Sequence, residues 1–254
     1  MSILLPPLKI VTYNIHKGMS ALNRYVRLYS IAMALQKLDA NIIFLQEVQG
    51  EHKKRARKYL YFPEKGQHDF LAQSLGLKAT YGKNALYEHK HHGNAILSNL
   101  PLIDSHNLDI SVNAMENRGI LHCTFKPEGW PTEVVALCAH LNLLHHDRKK
   151  QYQYLIHYIQ EKIDPKVPLI LAGDFNDWQN KASDILQNEL NLQDVFIHRH
   201  GAPAKSFPSR MPFFTLDRIY TRYLLPIHAN VHTGIPWTNL SDHLPLSTSL
   251  ILNK

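Results

Sequence analysis

The sequence contains few cysteines, few charged residues and no long apolar run, and each shortage excludes a class of protein. The two cysteines among 254 residues, Cys123 and Cys138, exclude a disulfide-rich scaffold and a zinc cluster built on cysteine ligands. We predict that both are buried free thiols in a reducing compartment, although they would be able to pair in an exported protein. Charged residues make up 19% of the chain, but the 44% hydrophobic fraction excludes a disordered chain.

Membrane and targeting signals are also missing from the sequence pattern. No apolar stretch approaches the roughly 18 residues that a membrane-spanning helix needs. Residues 1–9 lack a basic region, and Pro6 and Pro7 interrupt the apolar residues, so we expect no targeting signal and a cytoplasmic protein. No repeat, linker or low-complexity tract is evident, which favours a single domain over residues 1–254.

Positive charge is in excess, because 28 Lys and Arg stand against 21 Asp and Glu, a net charge of +7. Two basic runs contribute to it, KKRARK at 53–58 and HHDRKK at 145–150. The excess favours an anionic partner, namely nucleic acid, an anionic membrane surface or a phosphorylated metabolite, and does not choose among them. Each run would equally serve as a solvated face. No feature indicates an obligate protein partner.

Hydrophobic periodicity predicts a chain in which strands outnumber helices. Apolar residues at helical spacing predict helices over residues 25–38 and 147–163, with a short helix near 70–75. Runs of β-branched and aromatic residues predict strands at residues 8–15, 42–45, 94–98, 100–104, 119–125, 133–139, 169–172, 216–221, 227–232 and 246–252. We therefore expect an α+β domain built on packed sheets.

Polar side chains with catalytic potential stand at the ends of these apolar runs. Taken singly, each fits a turn or capping residue, and Asp217 with Arg218 fits an exposed pair flanking a strand. Nine such residues at the ends of separate strands are harder to explain as turns alone; they are Asn14, His16, Glu47, His140, Asp174, Asn176, Asp217, Asp242 and His243.

Ordered motifs run through nearly the whole chain. They are TYNIH (12–16), LQEV (45–48), GNAILSNLP (93–101), NRG (117–119), AHL (139–141), GDFND (173–177), LDRIY (216–220) and SDHLP (241–245). These segments resemble the motifs of the endonuclease/exonuclease/phosphatase superfamily, which includes DNase I, AP endonucleases, neutral sphingomyelinases and inositol-polyphosphate 5-phosphatases. The resemblance is closest to small bacterial members of unassigned substrate.

The resemblance implies a DNase I-like, four-layered α/β sandwich, with two packed, mainly antiparallel sheets flanked by helices. It also implies phosphoester hydrolysis by in-line attack of water, dependent on Mg²⁺ or Mn²⁺. Glu47 would bind the metal, since carboxylate oxygens suit Mg²⁺, and Asn14 and Asp242 would complete or orient its ligand shell.

The catalytic roles that the resemblance implies fall on five residues. Asp174 would orient or deprotonate the attacking water, and Asn176 would donate to the phosphoryl oxygens. His243 would bind the phosphate with its ring fixed by Asp217. His140 would stabilise the transition state or protonate the leaving oxygen.

Two further residues are expected to contact the substrate or support the site. Arg118 would contact phosphate or a carboxylate, and Asn94 would contact the substrate.

Departures from the family motifs narrow the function. AP endonucleases carry an acidic residue where this chain has His16, and a tyrosine-containing segment where it has Ala139, His140 and Leu141, so abasic-site repair is disfavoured. The leading hypothesis is a metal-dependent phosphodiesterase, a nuclease acting on DNA or RNA. The alternatives are a phospholipase C-like or sphingomyelinase-like hydrolase and an inactive phosphate-binding module. No HExxH pattern or cysteine partner supports a histidine-rich zinc site among the 17 histidines.

Overall fold

Two six-stranded sheets form the centre of the molecule. The computed structural model describes residues 5–20, 24–87, 90–113 and 116–253. The first sheet contains, in spatial order, β11 (Leu224–Val231), β12 (Leu246–Leu252), β1 (Leu8–Asn14), β2 (Ile42–His52), β4 (Lys90–Ser98) and β3 (Lys78–Tyr87). The second contains β5 (Leu102–Asp109), β6 (Gly119–Phe125), β7 (Val134–His140), β8 (Leu169–Asp174), β10 (Asp217–Arg222) and β9 (Gln193–Asp194).

Helices connect the strands. They are α1 (Leu28–Gln36), α2 (Lys53–Lys58), α3 (Gln67–Leu75), α4 (His145–Lys162), α5 (Ala182–Leu190) and α6 (Val195–His200). Of these, α1, α3, α4 and α5 cover the outer faces of the sheets. No helix in the described part of the chain is both long and apolar enough to cross a membrane.

The two sheets have the same topology, although the sequence shows no repeat. Each contains one parallel pair, β1–β2 or β7–β8, joined by a crossover through α1 or α4, and the remaining pairs are antiparallel. A parallel pair brings the carboxyl ends of two strands to one edge of a sheet. The ends of β1 and β2, and those of β7 and β8, therefore supply polar residues in corresponding positions.

Three apolar clusters separate four layers. The middle cluster fills the space between the sheets and includes Ile10, Phe44 and Cys138. One outer cluster joins the first sheet to α1 and α3, and the other joins the second sheet to α4 and α5. Because both faces of the central strands are covered, β7 and β8 are buried along their full length. The expected four-layered sandwich is confirmed.

Several local predictions are confirmed, and others needed the tertiary structure. Both cysteines are buried free thiols, and α1 and α4 lie within two or three residues of the predicted helices. β3 was not predicted, because its Gly82 and Asn84 have low strand propensity and backbone pairing with β4 holds the strand in place. α5 was not predicted either, although Ala182, Leu186 and Leu190 recur at helical spacing.

Arg218 is buried, which corrects the interpretation of it as one of an exposed pair. Its side chain pairs with Asp194 at 3.2 Å and also donates to Asn180 at 2.7 Å and Thr215 at 3.0 Å. Asp194 in turn accepts from the backbone N–H groups of Phe196 and Ile197 and so caps α6. This pair connects β10, β9 and the loop that leads from β8 into α5.

We expect Asp194→Ala to destabilise the fold by about 3–5 kcal/mol, because it leaves the Arg218 charge buried without a carboxylate. Asp194→Asn keeps a capping oxygen and should cost less. Urea denaturation followed by circular dichroism measures both. Asp39→Asn, which alters the exposed pair with Lys9, is the control and should leave the midpoint near the wild-type value. Equal midpoints for Asp194→Ala and the control would contradict this account.

Candidate active site

The predicted polar residues converge where the ends of β1, β2, β7 and β8 meet. In the second sheet, Asp174 at the end of β8 lies in register with His140 of β7 and with Asp217 of β10. From the first sheet, Asn14 reaches across and donates from Nδ2 to Oδ2 of Asp174 at 3.0 Å. The site is therefore built from both sheets, and each sheet supplies only part of it.

A carboxylate–imidazole pair forms one side of the site. Nδ1 of His243 donates to Oδ2 of Asp217 at 2.8 Å, and Ser206 donates to the same oxygen at 2.6 Å. Nε2 of His243 then lies 3.8 Å from Oδ2 of Asp174. The contact that the resemblance implied, with Asp217 holding the His243 ring, is present in the structure.

The other side of the site is held by Asn14. The same Nδ2 that donates to Asp174 lies 3.4 Å from Oε1 of Glu47, and Oδ1 of Asn14 accepts the backbone N–H of His16 at 3.1 Å. Ser241 also donates to the Asn14 carbonyl at 2.7 Å, which ties the loop before β12 to the end of β1. Asn14 thus positions two carboxylates at once.

Left-handed backbone conformations concentrate around the site. Glu47 (φ +57°) lies at an irregularity in the pairing of β2 with β4, where a bulge separates Leu45 from Val48. His16, Lys17 and Asn176 also have positive φ, at 44°, 60° and 47°. Non-glycine residues adopt this conformation at a cost, and such residues cluster at functional sites.

His140 is held in one tautomer by Arg118. The guanidinium only donates hydrogen bonds, so its Nη1, 3.1 Å from Nδ1 of His140, must donate to that nitrogen. The ring proton is therefore on Nε2, which faces Oδ2 of Asp174 at 3.6 Å. Arg118 also approaches Glu116 at 3.6 Å, so its charge supports the site through His140 and a carboxylate.

Burial and neighbouring charges shift the protonation equilibria of the site. Burial raises the pKa of Asp174 to about 6, with Asp217 adding to the rise and His243 opposing it. Burial alone would lower the pKa of His243, but the negative charges of Asp217 and Asp174 outweigh burial and raise it to about 10. Burial and Arg118 hold the pKa of His140 well below 6.5. At neutral pH the site therefore contains a cationic His243 and a neutral His140.

The pKa of Glu47 is lowered well below its usual value by neighbouring charges. Burial raises its pKa, but neighbouring positive charges, including Lys17 and the protonated His243, lower it by more, to about 2. Lys17 lies 3.1 Å from Oε2 of Glu47. Sequence analysis did not single out Lys17, although it directly follows the His16 that ends the first strand.

Two further predicted residues, Asn176 and Asn94, are buried. Asn176 donates from its backbone N–H to Asp174 at 2.9 Å and from Nδ2 to the Leu141 carbonyl at 2.9 Å. Asn94 is fully buried and donates to the carbonyls of Gly119 and Cys138, at 2.9 and 3.1 Å, so it joins the two sheets beneath the site. Its contact with substrate stays a prediction.

The oxygen atoms of the site fit a hard divalent cation. Among the described residues, Oδ1 of Asp217 is a buried oxygen that no hydrogen bond satisfies, and Oε2 of Glu47 is a buried oxygen with an ion-pair contact to Lys17 but no hydrogen bond. Asp242, whose Oδ2 pairs with Nδ1 of His16 at 3.2 Å, adds a second carboxylate to the site. Asp174, Asp217 and His243 also place one ligand atom each within 4.8 Å of one another. A cationic His243 does not ligate a metal, however, so Glu47 and Asp242 are the better ligands for Mg²⁺ or Mn²⁺.

Sequence comparison connects this geometry to a family. A sequence model of the Endonuclease/Exonuclease/phosphatase family matches residues 11–243. The chain is also 38% identical over 247 residues to the uncharacterized protein YbhP of Escherichia coli K12, with 96% of each chain covered, and the Shigella flexneri YbhP matches equally.

Solved structures show the same fold at low identity. The Bacteroides vulgatus endonuclease/exonuclease/phosphatase superposes with a TM-score of 0.77 at 18% identity, covering 98% of this chain and 100% of that one. TDP2 of D. rerio, in complex with a single-strand DNA product, superposes with a TM-score of 0.70 at 15% identity, covering 96% and 99%. Since the family match spans almost the whole site, from β1 to His243, the chain belongs to the Endonuclease/Exonuclease/phosphatase family, which supports phosphoester hydrolysis as its class of activity.

Proposed function

We propose that the protein is a divalent-metal-dependent phosphodiesterase that cleaves nucleic acid. The observation that carries the catalytic part is the row of contacts Asp217–His243–Asp174–Asn14–Glu47, which crosses from one sheet to the other. The row places a base (Asp174), a cation (His243) and an acidic metal ligand (Glu47) at one edge of the molecule. These are the groups that water attack on a phosphodiester requires.

Asp174 is the proposed base. Its Oδ2 accepts from Asn14 and its Oδ1 accepts from the backbone of Asn176, so both oxygens are oriented by donors. A pKa of about 6 leaves the carboxylate ionised at neutral pH and still able to take a proton from the attacking water. Mg²⁺ or Mn²⁺, held by Glu47 and Asp242 with Asn14 alongside, would polarise the phosphoryl oxygen.

The two histidines have different proposed tasks because their protonation differs. His243, charged and fixed by Asp217, would bind a phosphoryl oxygen. His140, neutral with its proton on Nε2, would donate a hydrogen bond to the charge that develops as the P–O bond to the leaving group breaks. Asn176 would add a further donor from Nδ2.

An aromatic wall supports nucleic acid as the substrate. Trp178 lies edge-on to Phe214 at 4.6 Å and to Phe207 at 6.0 Å, and Phe207 lies 4.8 Å from the His243 ring, all between ring centroids. Phe213, 51% exposed, extends the wall into solvent. Aromatic side chains beside a phosphate-binding histidine suit the stacking of a base next to the cleaved phosphate.

The positive charge of the two basic runs also favours nucleic acid, and KKRARK contributes more to this than HHDRKK. The KKRARK run forms α2, and Arg55 within it donates to Gln49 at 2.7 Å. The exposed cations of the run would contact a phosphate backbone; they are Lys53, Lys54, Arg57 and Lys58. In HHDRKK, however, Arg148 is buried and donates to the carbonyls of Asn142 and Leu143, so it is not available. TDP2, of the same fold, has been seen with a single-strand DNA product.

One observation favours the lipid hydrolase as a second candidate. Leu143 and Leu144, just beyond His140, are 52% and 62% exposed. Exposed leucines beside the site would suit contact with a membrane surface. The aromatic wall suits a nucleic-acid base, whereas the leucine pair suits a lipid surface. Substitutions in each therefore distinguish the two candidate substrates.

We expect Asp174→Asn and Glu47→Gln each to lower kcat by about 10²–10⁴-fold, because they remove the base and a metal ligand. The assay is metal-dependent hydrolysis of bis-p-nitrophenyl phosphate, plasmid DNA and RNA with Mg²⁺, Mn²⁺ or EDTA. Asp69→Asn, an exposed carboxylate with 58% of its side chain accessible, is the matched control. Absence of turnover by the wild type with either metal would favour the inactive phosphate-binding module.

The activity should rise with pH through about 6 and fall near 10. The acid limb reports ionisation of Asp174, whose pKa is raised to about 6, and the alkaline limb reports loss of the proton from His243, whose pKa is raised to about 10. Since Asp217 sustains the His243 charge, Asp217→Asn should move the alkaline limb to lower pH. A pH profile of kcat/KM measures both limbs, and an alkaline limb unchanged in Asp217→Asn would refute the role of this pair.

Trp178→Ala should raise KM for a single-stranded oligonucleotide by about tenfold, because one stacked base is lost. The same variant should leave hydrolysis of bis-p-nitrophenyl phosphate nearly unchanged. Tyr29→Ala, an exposed aromatic on α1, is the control. If Leu143→Asp instead abolishes turnover of sphingomyelin vesicles while Trp178→Ala has no effect on nucleic acid, the lipid hydrolase is the correct function.

A further inference from the structure

A second cluster of ligating side chains lies on the outer face of the second sheet, beneath α4. His106 of β5 and His122 of β6 are directly opposite each other in the antiparallel register. Their rings stack with centroids 4.5 Å apart and an interplanar angle of 29°. The cluster is separate from the active site, because His122 pairs with Leu137 in the middle of β7, three residues before His140.

Both imidazoles direct one nitrogen at the same oxygen. Nδ1 of His122 lies 2.7 Å from the hydroxyl of Tyr158, which comes from α4, and Nε2 of His106 contacts the same hydroxyl. Two rings on different strands and a phenol on a helix thus meet at one point. Such convergence is what a metal-binding centre needs from three separate elements.

The remaining ring nitrogens have partners on the far side of each ring. Nδ1 of His106 lies 3.5 Å from Oδ2 of Asp104, and Nε2 of His122 lies 3.0 Å from Oγ1 of Thr124. In the tautomer that carries Nδ1–H on His106 and Nε2–H on His122, both inner nitrogens are lone pairs. A carboxylate or hydroxyl behind a ligating imidazole is the usual way in which proteins fix the tautomer that binds a metal.

One phenolic hydrogen cannot serve two lone pairs. Tyr158 has a single O–H, so with both rings in this tautomer one inner nitrogen faces the oxygen without a proton between them. A cation bound by both nitrogens would take the phenol oxygen as a further ligand with release of the phenolic proton, which the phenol retains at neutral pH because burial raises the pKa of Tyr158 to about 12. Burial also lowers the pKa of His122 to about 4, so its ring is neutral and available as a ligand at neutral pH.

The cluster is accessible to ions from solvent. It lines a cavity of about 460 Å³ whose wall also carries Glu133 and Asp164, and the side chains of His106 and Asp104 are 47% and 66% exposed. Imidazole nitrogens favour zinc, nickel and copper, whereas Mg²⁺ favours the carboxylate oxygens of the active site. The two centres would therefore select different ions.

We propose that His106, His122 and Tyr158 form a second metal site, for a zinc-class transition ion, with Asp104 and Thr124 orienting the two imidazoles. The bound ion connects β5 and β6 to α4 and takes no part in hydrolysis. The site was not evident from the sequence, because its histidines are 16 residues apart and belong to no metal-binding motif.

The test is calorimetric titration of the purified full-length chain with zinc chloride in excess Mg²⁺, which keeps hard-ion sites filled. Wild type should bind one zinc ion that His122→Ala binds at least tenfold more weakly, and Asp104→Asn should weaken the same event by about tenfold. His146→Ala, on the exposed start of α4 with 77% of its side chain accessible, is the matched control and should bind as wild type does. Zinc should also raise the Tm of the wild type and not that of His122→Ala.

Equal zinc stoichiometry and affinity in wild type and His122→Ala would overturn the proposal, as would the absence of binding by the wild type. If His122→Ala fails to fold, His106→Ala, at a half-exposed position, provides the same comparison. His243→Ala should retain the zinc event, which shows that the ion does not occupy the active site. Phosphodiesterase activity of His122→Ala in Mg²⁺ should equal that of the wild type.

Discussion

The hydrogen bond from Asn14 to Asp174 is the contact on which the candidate active site depends. It joins the end of β1 in one sheet to the end of β8 in the other, across 160 residues of sequence. Asn14 holds Glu47 from the same nitrogen, while Asp174 faces both histidines. The proposed metal ligand and the proposed base are therefore set in position by a single side chain, and a shift between the sheets would separate them.

The repeated topology explains why that contact is available. Each sheet has one parallel strand pair whose carboxyl ends reach the common edge, so Asn14 corresponds in position to His140, and the Glu47 region corresponds to Asp174. Equivalent positions carry different chemistry in the two halves. The first half supplies an amide and an acidic ligand, and the second supplies an imidazole and a carboxylate of higher pKa. Two similar frameworks thus build one asymmetric site.

The charge of each histidine in the site is set by burial and by neighbouring charged groups. Asp217 keeps His243 protonated, whereas burial together with Arg118 keeps His140 neutral, and Arg118 fixes its proton on Nε2. Two histidines a few ångströms from the same carboxylate therefore enter the proposed reaction in different states. The aromatic wall reaches His243, the proposed phosphate ligand. In the proposed substrate, a base would stack on this wall next to the phosphate that His243 binds.

Composition, periodicity and motif order by themselves determined the α+β class, most of the strands, α1 and α4, and the residues that gather at the site. These properties are local, because they depend on spacing within a segment or on short motifs at strand ends. Only the tertiary structure decided that Arg118 bonds to His140, that Lys17 pairs with Glu47 and that Arg148 is buried. It also decided the convergence of His106 and His122 on Tyr158. Each of these contacts joins side chains whose distance depends on strand register and helix packing, and sequence spacing contains no information about that distance.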